Sequence, residues 1–124
     1  MPFIVEITGF RVYVARYTFG DLPGVFFLHG YSFTGDVWEQ TNVFAMLREK
    51  RRLYIAPDMP YGKKTRTVPQ TRDENKILGL MDEIMSRYLK DNGILVGASL
   101  GGYFALKYSI NNIGKVKGLL LLAP

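Results

Sequence analysis

Residues 94–102 read ILVGASLGG, and this stretch decides the fold. Its first three residues form an apolar run that predicts a short buried strand, and a helical pattern begins directly after the serine. The five residues in the middle match the pattern G-x-S-x-G at a strand-to-helix turn. Such a turn must lift the Ser99 hydroxyl above the sheet, which strains the serine backbone and leaves no space for side chains at Gly97 and Gly101. The N–H groups at the start of the following helix are suited to stabilising an oxyanion.

Short apolar runs alternate with helical patterns on both sides of this turn, which predicts an α/β domain. The first two runs flank Gly9 and predict an opening antiparallel hairpin. The later runs are apolar at nearly every position, so we expect a mostly parallel sheet with helices on both faces. The predicted hairpin strands are 3–7 and 11–17, a turn is predicted at 21–24 and a loop at 57–71, the later strands are 25–28, 52–56, 94–96 and 116–123, and the helices are 36–50, 73–90 and 100–110.

Composition limits the class of protein. The chain has 124 residues, of which 48% are hydrophobic and 22% charged, and it contains no cysteine. These values are typical of one globular domain and exclude a disulfide scaffold. The longest apolar runs are far shorter than the roughly 18 residues of a membrane-spanning helix, and the N-terminus lacks the basic segment of a signal peptide. We therefore expect a cytoplasmic protein without a membrane span.

The net charge of +5 comes entirely from residues 63–124, which carry ten basic and five acidic side chains. The densest basic group is Lys63, Lys64 and Arg66, followed by Arg72. Such a patch can attract phosphates or an anionic substrate. No aromatic residues interleave with these basic ones and no nucleic-acid motif accompanies them, so the sequence favours a solvated surface over nucleic-acid binding.

The chain resembles the α/β-hydrolase superfamily in three places. Residues 27–32 read FLHGYS, which is similar to the H-G-x segment after the third strand of that family. Residues 56–65 read APDMPYGKKT, similar to the family pattern D-x-P-G-x-G-x-S, except that Tyr61 stands where a glycine is usual. The third place is VGASLGG at 96–102. With the order of elements, the resemblance extends from the opening hairpin to the last strand.

The resemblance implies a serine hydrolase that works through an acyl-enzyme intermediate, with no metal or cofactor. Ser99 would be the nucleophile, and the backbone N–H groups of Tyr31 and Leu100 would form the oxyanion hole. Gly30 would allow a close backbone approach. The single histidine of the chain, His29, is expected to shape its loop rather than to catalyse.

Alternative roles remain open for Asp58, Tyr31 and Trp38. Asp58 is expected to order its loop rather than to serve in a catalytic triad. Tyr31 and Trp38 are candidates for lining a substrate pocket, and buried packing explains them nearly as well.

The residues after Ser99 lack the rest of a triad. In this fold the order along the chain is Ser, then Asp or Glu, then His, because later loops carry the acid and the base. Residues 100–124 contain no Asp, Glu or His. Residues 117–124 read as a strand of the kind that is buried on both faces, and no helix follows to cover it. We therefore expect residues 1–124 to be a single, partial domain from the N-terminal part of a longer hydrolase.

Three functions remain open on the sequence alone. The leading one is hydrolysis of a small-molecule ester, thioester or related acyl compound. The second is a non-catalytic interaction protein of the same fold, and the third is phosphate or nucleic-acid binding through Lys63, Lys64 and Arg66. Epoxide or halide chemistry would need a carboxylate at position 99, so Ser99 argues against it. An uncovered sheet edge is a reason to expect a homo-oligomer.

Overall fold

The antiparallel hairpin opens the chain as predicted. In a computed structural model that describes residues 2–122, strand β1 (Pro2–Ile7) pairs with β2 (Phe10–Tyr17). The two residues between them, Thr8 and Gly9, have φ values of 45° and 87°, the left-handed pair that tight hairpin turns favour. Alternate side chains in the first half of β2 are buried, which places one face of the hairpin against the core.

Four more strands complete one sheet, in the order β1-β2-β4-β3-β5-β6. Strand β4 is antiparallel to β2, whereas β3 pairs in parallel with both β4 and β5, and β5 pairs in parallel with β6. The predicted combination of a hairpin with a mostly parallel sheet is confirmed. Because the parallel strands point the same way, the loops that follow them gather at one edge of the sheet. The added strands are β3 (Asp21–Leu28), β4 (Arg52–Pro57), β5 (Gly93–Ala98) and β6 (Val116–Leu122).

Helices lie on both faces of the sheet. On one face, α2 (Glu74–Leu89) and α3 (Leu100–Asn111) enclose the larger apolar core. On the other face, a 3-10 helix at Gly35–Thr41 and α1 (Val43–Glu49) cover a smaller aromatic cluster. A 3-10 turn at Ile113–Lys115 leads into β6. No helix among residues 2–122 combines the length and apolar character that crossing a bilayer requires.

Helix α2 shows how the sequence pattern becomes packing. Asp73 caps its N-terminus by accepting the Lys76 N–H at 3.1 Å, and Lys90 ends it in a left-handed conformation. Burial of one large apolar side chain contributes about 1.5–3 kcal/mol, so a buried stripe fixes the helix against the sheet. The stripe consists of Ile77, Leu80, Met81, Ile84, Met85 and Leu89.

The single helix predicted at 36–50 is wrong, because the chain forms two shorter helices that break at Asn42. Asn42 has a φ of 66°, a left-handed conformation that asparagine tolerates better than most residues. The first helix is fixed by a tertiary contact, since the Gly35 N–H donates to the buried Asp58 carboxylate at 2.9 Å. A local periodicity carries no information about that contact.

The turn predicted at 21–24 is also wrong, because these residues belong to β3. Asp21 pairs with the first residue of β4, and its N–H donates to the Arg51 carbonyl at 2.6 Å. The pairing is irregular between Asp21 and Val25, where Pro23 has no N–H to donate. Pairing with a neighbouring strand therefore overrides the turn preference of the sequence.

Strand β6 lies at one edge of the described sheet. The strand predicted at 116–123 begins at Val116 and is described as far as Leu122, whereas Ala123 lies outside the described residues. The four leucines at 119–122 are between 37% and 53% exposed. Burial of this strand on both faces is therefore not found among residues 2–122, where β6 also has β5 as its single pairing partner.

Candidate active site

Ser99 lies at the sharp turn between β5 and α3. Its φ of 54° and ψ of −118° form a combination that residues other than glycine rarely adopt and that costs about 1–3 kcal/mol. The Ser99 N–H donates to the Leu122 carbonyl at 3.3 Å, and the Ser99 carbonyl accepts from Gly102 at 2.9 Å and Tyr103 at 3.2 Å. Strand β6 and the first turn of α3 thus hold the strained backbone, while the residue itself stays exposed.

Close backbone contacts require glycine on both sides of the serine. A Cβ atom on Gly97 would lie 2.5 Å from the Gly101 carbonyl oxygen. A Cβ atom on Gly101 would collide with the carbonyl oxygen of Leu28 at the end of β3. The missing side chains therefore let α3 begin directly against strands β3 and β5.

Gly30 brings the loop after β3 alongside the serine. A Cβ atom on Gly30 would lie 3.4 Å from the Ser99 Cβ. Tyr31 follows it and is 37% exposed, and Leu100 is the half-buried first residue of α3. No hydrogen bond between residues 2–122 uses the backbone N–H of Tyr31 or of Leu100, so both donors are open. The structure thus brings the predicted site residues of the two loops together.

A cleft of about 410 Å³ opens beside these residues, a size in the range of small-molecule sites. Trp38 lies elsewhere, since it packs on Phe27 with 5.1 Å between ring centroids. Of the two aromatic residues that the sequence offers as pocket lining, only Tyr31 borders this cleft. The cleft is lined by Tyr31, Tyr61, Arg72, Glu74, Leu100, Tyr103 and Phe104.

His29 joins the loop after β3 to the loop after β4. The side chain is fully buried, and its Nε2 accepts the Met59 N–H at 2.8 Å. The proton therefore sits on Nδ1, which donates to the Gly30 carbonyl at 2.6 Å. Burial lowers the pKa of His29, which keeps the imidazole neutral. Both ring nitrogens are occupied, so the predicted loop-shaping role is confirmed and His29 has no lone pair for the Ser99 proton.

Asp58 orders the loop after β4, as predicted. Its carboxylate accepts two hydrogen bonds from the Arg66 guanidinium, at 2.7 and 2.9 Å, and one from the Arg66 N–H at 3.0 Å. Gly35 supplies a fourth donor from the other loop. Burial alone would raise the pKa of Asp58, but the hydrogen bonds from Arg66 and Gly35 outweigh it and lower the pKa. The ionised carboxylate is therefore fully used in holding two loops.

Tyr61, the departure from the family pattern, is a structural part of the cleft that the sequence did not suggest. Its O–H donates to the His29 carbonyl at 2.5 Å, and its ring stacks on Phe104 with 5.3 Å between centroids. Burial raises the pKa of Tyr61 far above its usual range, so the phenol stays protonated. The only sequence signal for this role is the bulky residue at a position where glycine is usual.

The described residues offer little for a phosphate or metal site. The predicted basic patch is divided, because the Arg66 guanidinium turns to Asp58 and lies 3.8 Å from the centroid of the Tyr13 ring. Lys63 and Lys64 remain exposed. Among residues 2–122, no three His, Cys, Asp or Glu side chains come close enough to hold a metal ion.

Known structures share this fold. A predicted CIB-like hydrolase from Thermoplasma acidophilum superposes with a TM-score of 0.86 at 19% identity, covering 100% of this chain and 63% of that one. The epoxide hydrolase VrEH1 from Vigna radiata superposes with a TM-score of 0.80 at 21% identity, covering 100% of this chain and 40% of that one. A thioesterase domain from the curacin biosynthetic pathway gives 0.81 at 22% identity, with 100% and 46% covered. These likenesses concern the fold alone.

Curated relatives are longer than this chain. Protein ABHD14A of Mus musculus is 28% identical over 100 residues, which cover 81% of this chain and 40% of that protein. Protein ABHD14A of Homo sapiens is 25% identical, with 81% and 37% covered. The chain thus spans about two fifths of the length of these relatives. The sequence model of the Alpha/beta hydrolase family matches residues 25–124, which include Ser99 and both loops of the cleft, and the chain therefore belongs to the alpha/beta hydrolase family.

Proposed function

We propose that the protein is a serine hydrolase that acts on an ester, a thioester or a related acyl compound. The Ser99 Oγ forms a bond to the acyl carbon, while the N–H groups of Tyr31 and Leu100 bind the carbonyl oxygen as it gains negative charge. The bond to the alcohol or thiol breaks, and that group leaves with a proton. Water then hydrolyses the acyl-serine, which releases a carboxylic acid and restores the hydroxyl.

One observation carries this proposal, the φ of 54° at an exposed Ser99. Glycine adopts such a conformation at lower cost, so a serine there indicates that the hydroxyl itself is needed. The open N–H groups of Tyr31 and Leu100 provide donors for an oxyanion next to it. A serine instead of a carboxylate at this turn favours acyl transfer over epoxide opening.

The acid and the histidine of the triad are proposed to lie outside residues 1–124. His29 and Asp58 have their polar atoms occupied by loop contacts. Residues 100–124 contain no Asp, Glu or His, and no hydrogen bond between residues 2–122 reaches the Ser99 hydroxyl. The chain then represents a partial hydrolase domain that contains the nucleophile and the oxyanion hole.

A non-catalytic interaction protein of the same fold is the second candidate. The observation that favours it is the lack of a general base at Ser99 within the described part of the chain. Without a base, a serine hydroxyl is a weak nucleophile at neutral pH.

Labelling with a fluorophosphonate probe separates the two candidates. We expect the protein expressed from its complete gene to be labelled once and Ser99→Ala to abolish the labelling. Ser86→Ala is the matched control, because Ser86 is exposed on α2 and lies outside the cleft. A folded protein that takes up no label would favour the interaction protein and overturn the proposed hydrolase.

Expectations about partners and location stay predictions. They are a small-molecule acyl substrate, a cytoplasmic location, and self-association through the uncovered edge at β6. Nucleic-acid binding is not expected, and retention on DNA that disappears when Lys63 and Lys64 are changed to Gln would contradict this.

A further inference from the structure

Arg72 borders the cleft that Leu100, the residue after Ser99, also lines. It precedes Asp73, the N-cap of α2, and follows Thr71, whose N–H donates to the Pro60 carbonyl at 3.0 Å. The loop is thus anchored on one side of Arg72 and the helix on the other. The Arg72 guanidinium lies 4.8 Å from the centroid of the Tyr31 ring, a distance at which the positive charge interacts favourably with the aromatic face.

The position of Arg72 relates it to the proposed oxyanion hole. Its side chain borders the same cleft as Tyr31 and Leu100. A second, smaller depression is bordered by Arg72, Tyr31 and Tyr61. A molecule whose carbonyl group binds at Tyr31 and Leu100 therefore extends along a surface where Arg72 is the cationic residue.

The positive charge of Arg72 is not neutralised by Glu74, the acidic residue of the cleft. Glu74 borders the cleft, but its carboxylate is held by Lys107 and by the Tyr103 O–H at 2.9 Å. Hydrogen bonds from these two residues lower the pKa of Glu74, which keeps it ionised and paired. No hydrogen bond or ion pair between residues 2–122 engages the Arg72 guanidinium. Its N–H donors therefore face a ligand or water.

We propose that Arg72 binds a carboxylate on the substrate, so that the preferred substrates are esters or thioesters with a free carboxylate on the acyl part. This inference rests on the proposed function, because it assigns specificity to the same site. A planar guanidinium donates two parallel hydrogen bonds to a carboxylate. One unpaired positive charge also matches one carboxylate charge better than the nearly two charges of a phosphate monoester.

Equilibrium binding tests the role of Arg72 without turnover. In a Ser99→Ala background, monomethyl glutarate should bind more tightly than dimethyl glutarate, as measured by calorimetry or by NMR titration. Arg72→Gln should weaken the binding of monomethyl glutarate by about tenfold, the value of one charge-assisted contact, and change that of dimethyl glutarate by less than about twofold. The affinity of Arg72→Lys for monomethyl glutarate should lie between those of the unchanged residue and Arg72→Gln, because an ammonium keeps the charge but cannot donate two parallel hydrogen bonds.

Lys64→Gln is the matched control, because Lys64 is an exposed cation that borders neither the cleft nor the depression. The proposal is overturned if monomethyl glutarate binds no more tightly than the diester, or if Lys64→Gln weakens it as much as Arg72→Gln does. Hydrolysis of the two esters is measured separately, with the protein expressed from its complete gene and an intact Ser99. Arg72-dependent binding without hydrolysis would overturn the proposed function and support the carboxylate site. Hydrolysis with binding that does not depend on Arg72 would support the proposed function and overturn the carboxylate site.

Discussion

Ser99 has a strained backbone conformation at the candidate site. The left-handed φ of 54° is held by hydrogen bonds from α3 and to β6, and by the contact of Gly101 with the end of β3. The strain persists because the surrounding packing determines the path of the chain on both sides. That packing is possible only with glycine at 97 and 101, so both positions should be sensitive to substitution.

Gly101→Ala should lower the free energy of unfolding by about 2–4 kcal/mol, because the new methyl group would collide with the Leu28 carbonyl oxygen. Urea denaturation followed by circular dichroism measures the change. The matched control is Gly79→Ala, a helical position where an added Cβ meets nothing within 4 Å. There alanine should raise the free energy of unfolding by about 0.5–1 kcal/mol, since it favours helix. Equal effects at both positions would contradict the close approach of α3 to β3.

At the scale of elements, the loops after β3 and β4 are fastened to each other beside the Ser99 turn. The His29 ring bonds to Met59, the Tyr61 O–H bonds to the His29 carbonyl, and the Lys63 N–H donates to the Tyr31 carbonyl at 2.7 Å. The loop after β3, which provides the proposed Tyr31 donor, is therefore held in place by the loop after β4. Such fixed placement is what stabilisation of an oxyanion requires.

The pair of Asp58 and Arg66 should make stability depend on pH. The pKa of Asp58 is lower in the folded protein than the value of about 3.9 in an unfolded chain. The pair's contribution is therefore complete above about pH 4 and is lost as the pH falls through the folded pKa. Asp58→Asn should cost about 3 kcal/mol at pH 7, and it should flatten the loss of stability as the pH falls below about 4.

Urea denaturation at a series of pH values measures both effects. Glu49→Gln is the control, because Glu49 is an exposed carboxylate at the end of α1, and its profile should match that of the unchanged protein. A profile for Asp58→Asn that runs parallel to the original down to pH 2 would show that Asp58 does not contribute in this way.

At the scale of the whole molecule, residues 1–124 hold the proposed nucleophile and oxyanion hole without a base at Ser99 in the described part. Removal of triad members lowers turnover by several powers of ten. Because the acid and the histidine are proposed to lie outside residues 1–124, these residues alone should hydrolyse p-nitrophenyl acetate at least about a thousandfold more slowly than a longer chain that contains the proposed triad. Turnover by the short chain at the rate of the longer chain would mean that a base exists within it.

Much of the fold could be predicted from the sequence. The Ser99 turn, the opening hairpin and the helix at 73–90 all follow from patterns that operate within a few residues, such as glycine spacing, alternation and a period of 3.6. The 3-10 helix that begins at Gly35 and the extension of β3 back to Asp21 could not be predicted, because both depend on partners far along the chain.

The sequence by itself determined the strand-to-helix turn with its serine, and hence the family, because the shape of a tight turn depends on the residues within it. The resemblance implied loop roles for His29 and Asp58, whereas only the tertiary structure decided which partners these residues bind and where Arg72 lies. Burial and hydrogen bonding commit His29 and Asp58 to holding loops, and they leave Arg72 open at the cleft. The physical reason is that the chemistry of an ionisable group depends on its solvation and its neighbours, which the folded chain supplies from distant segments.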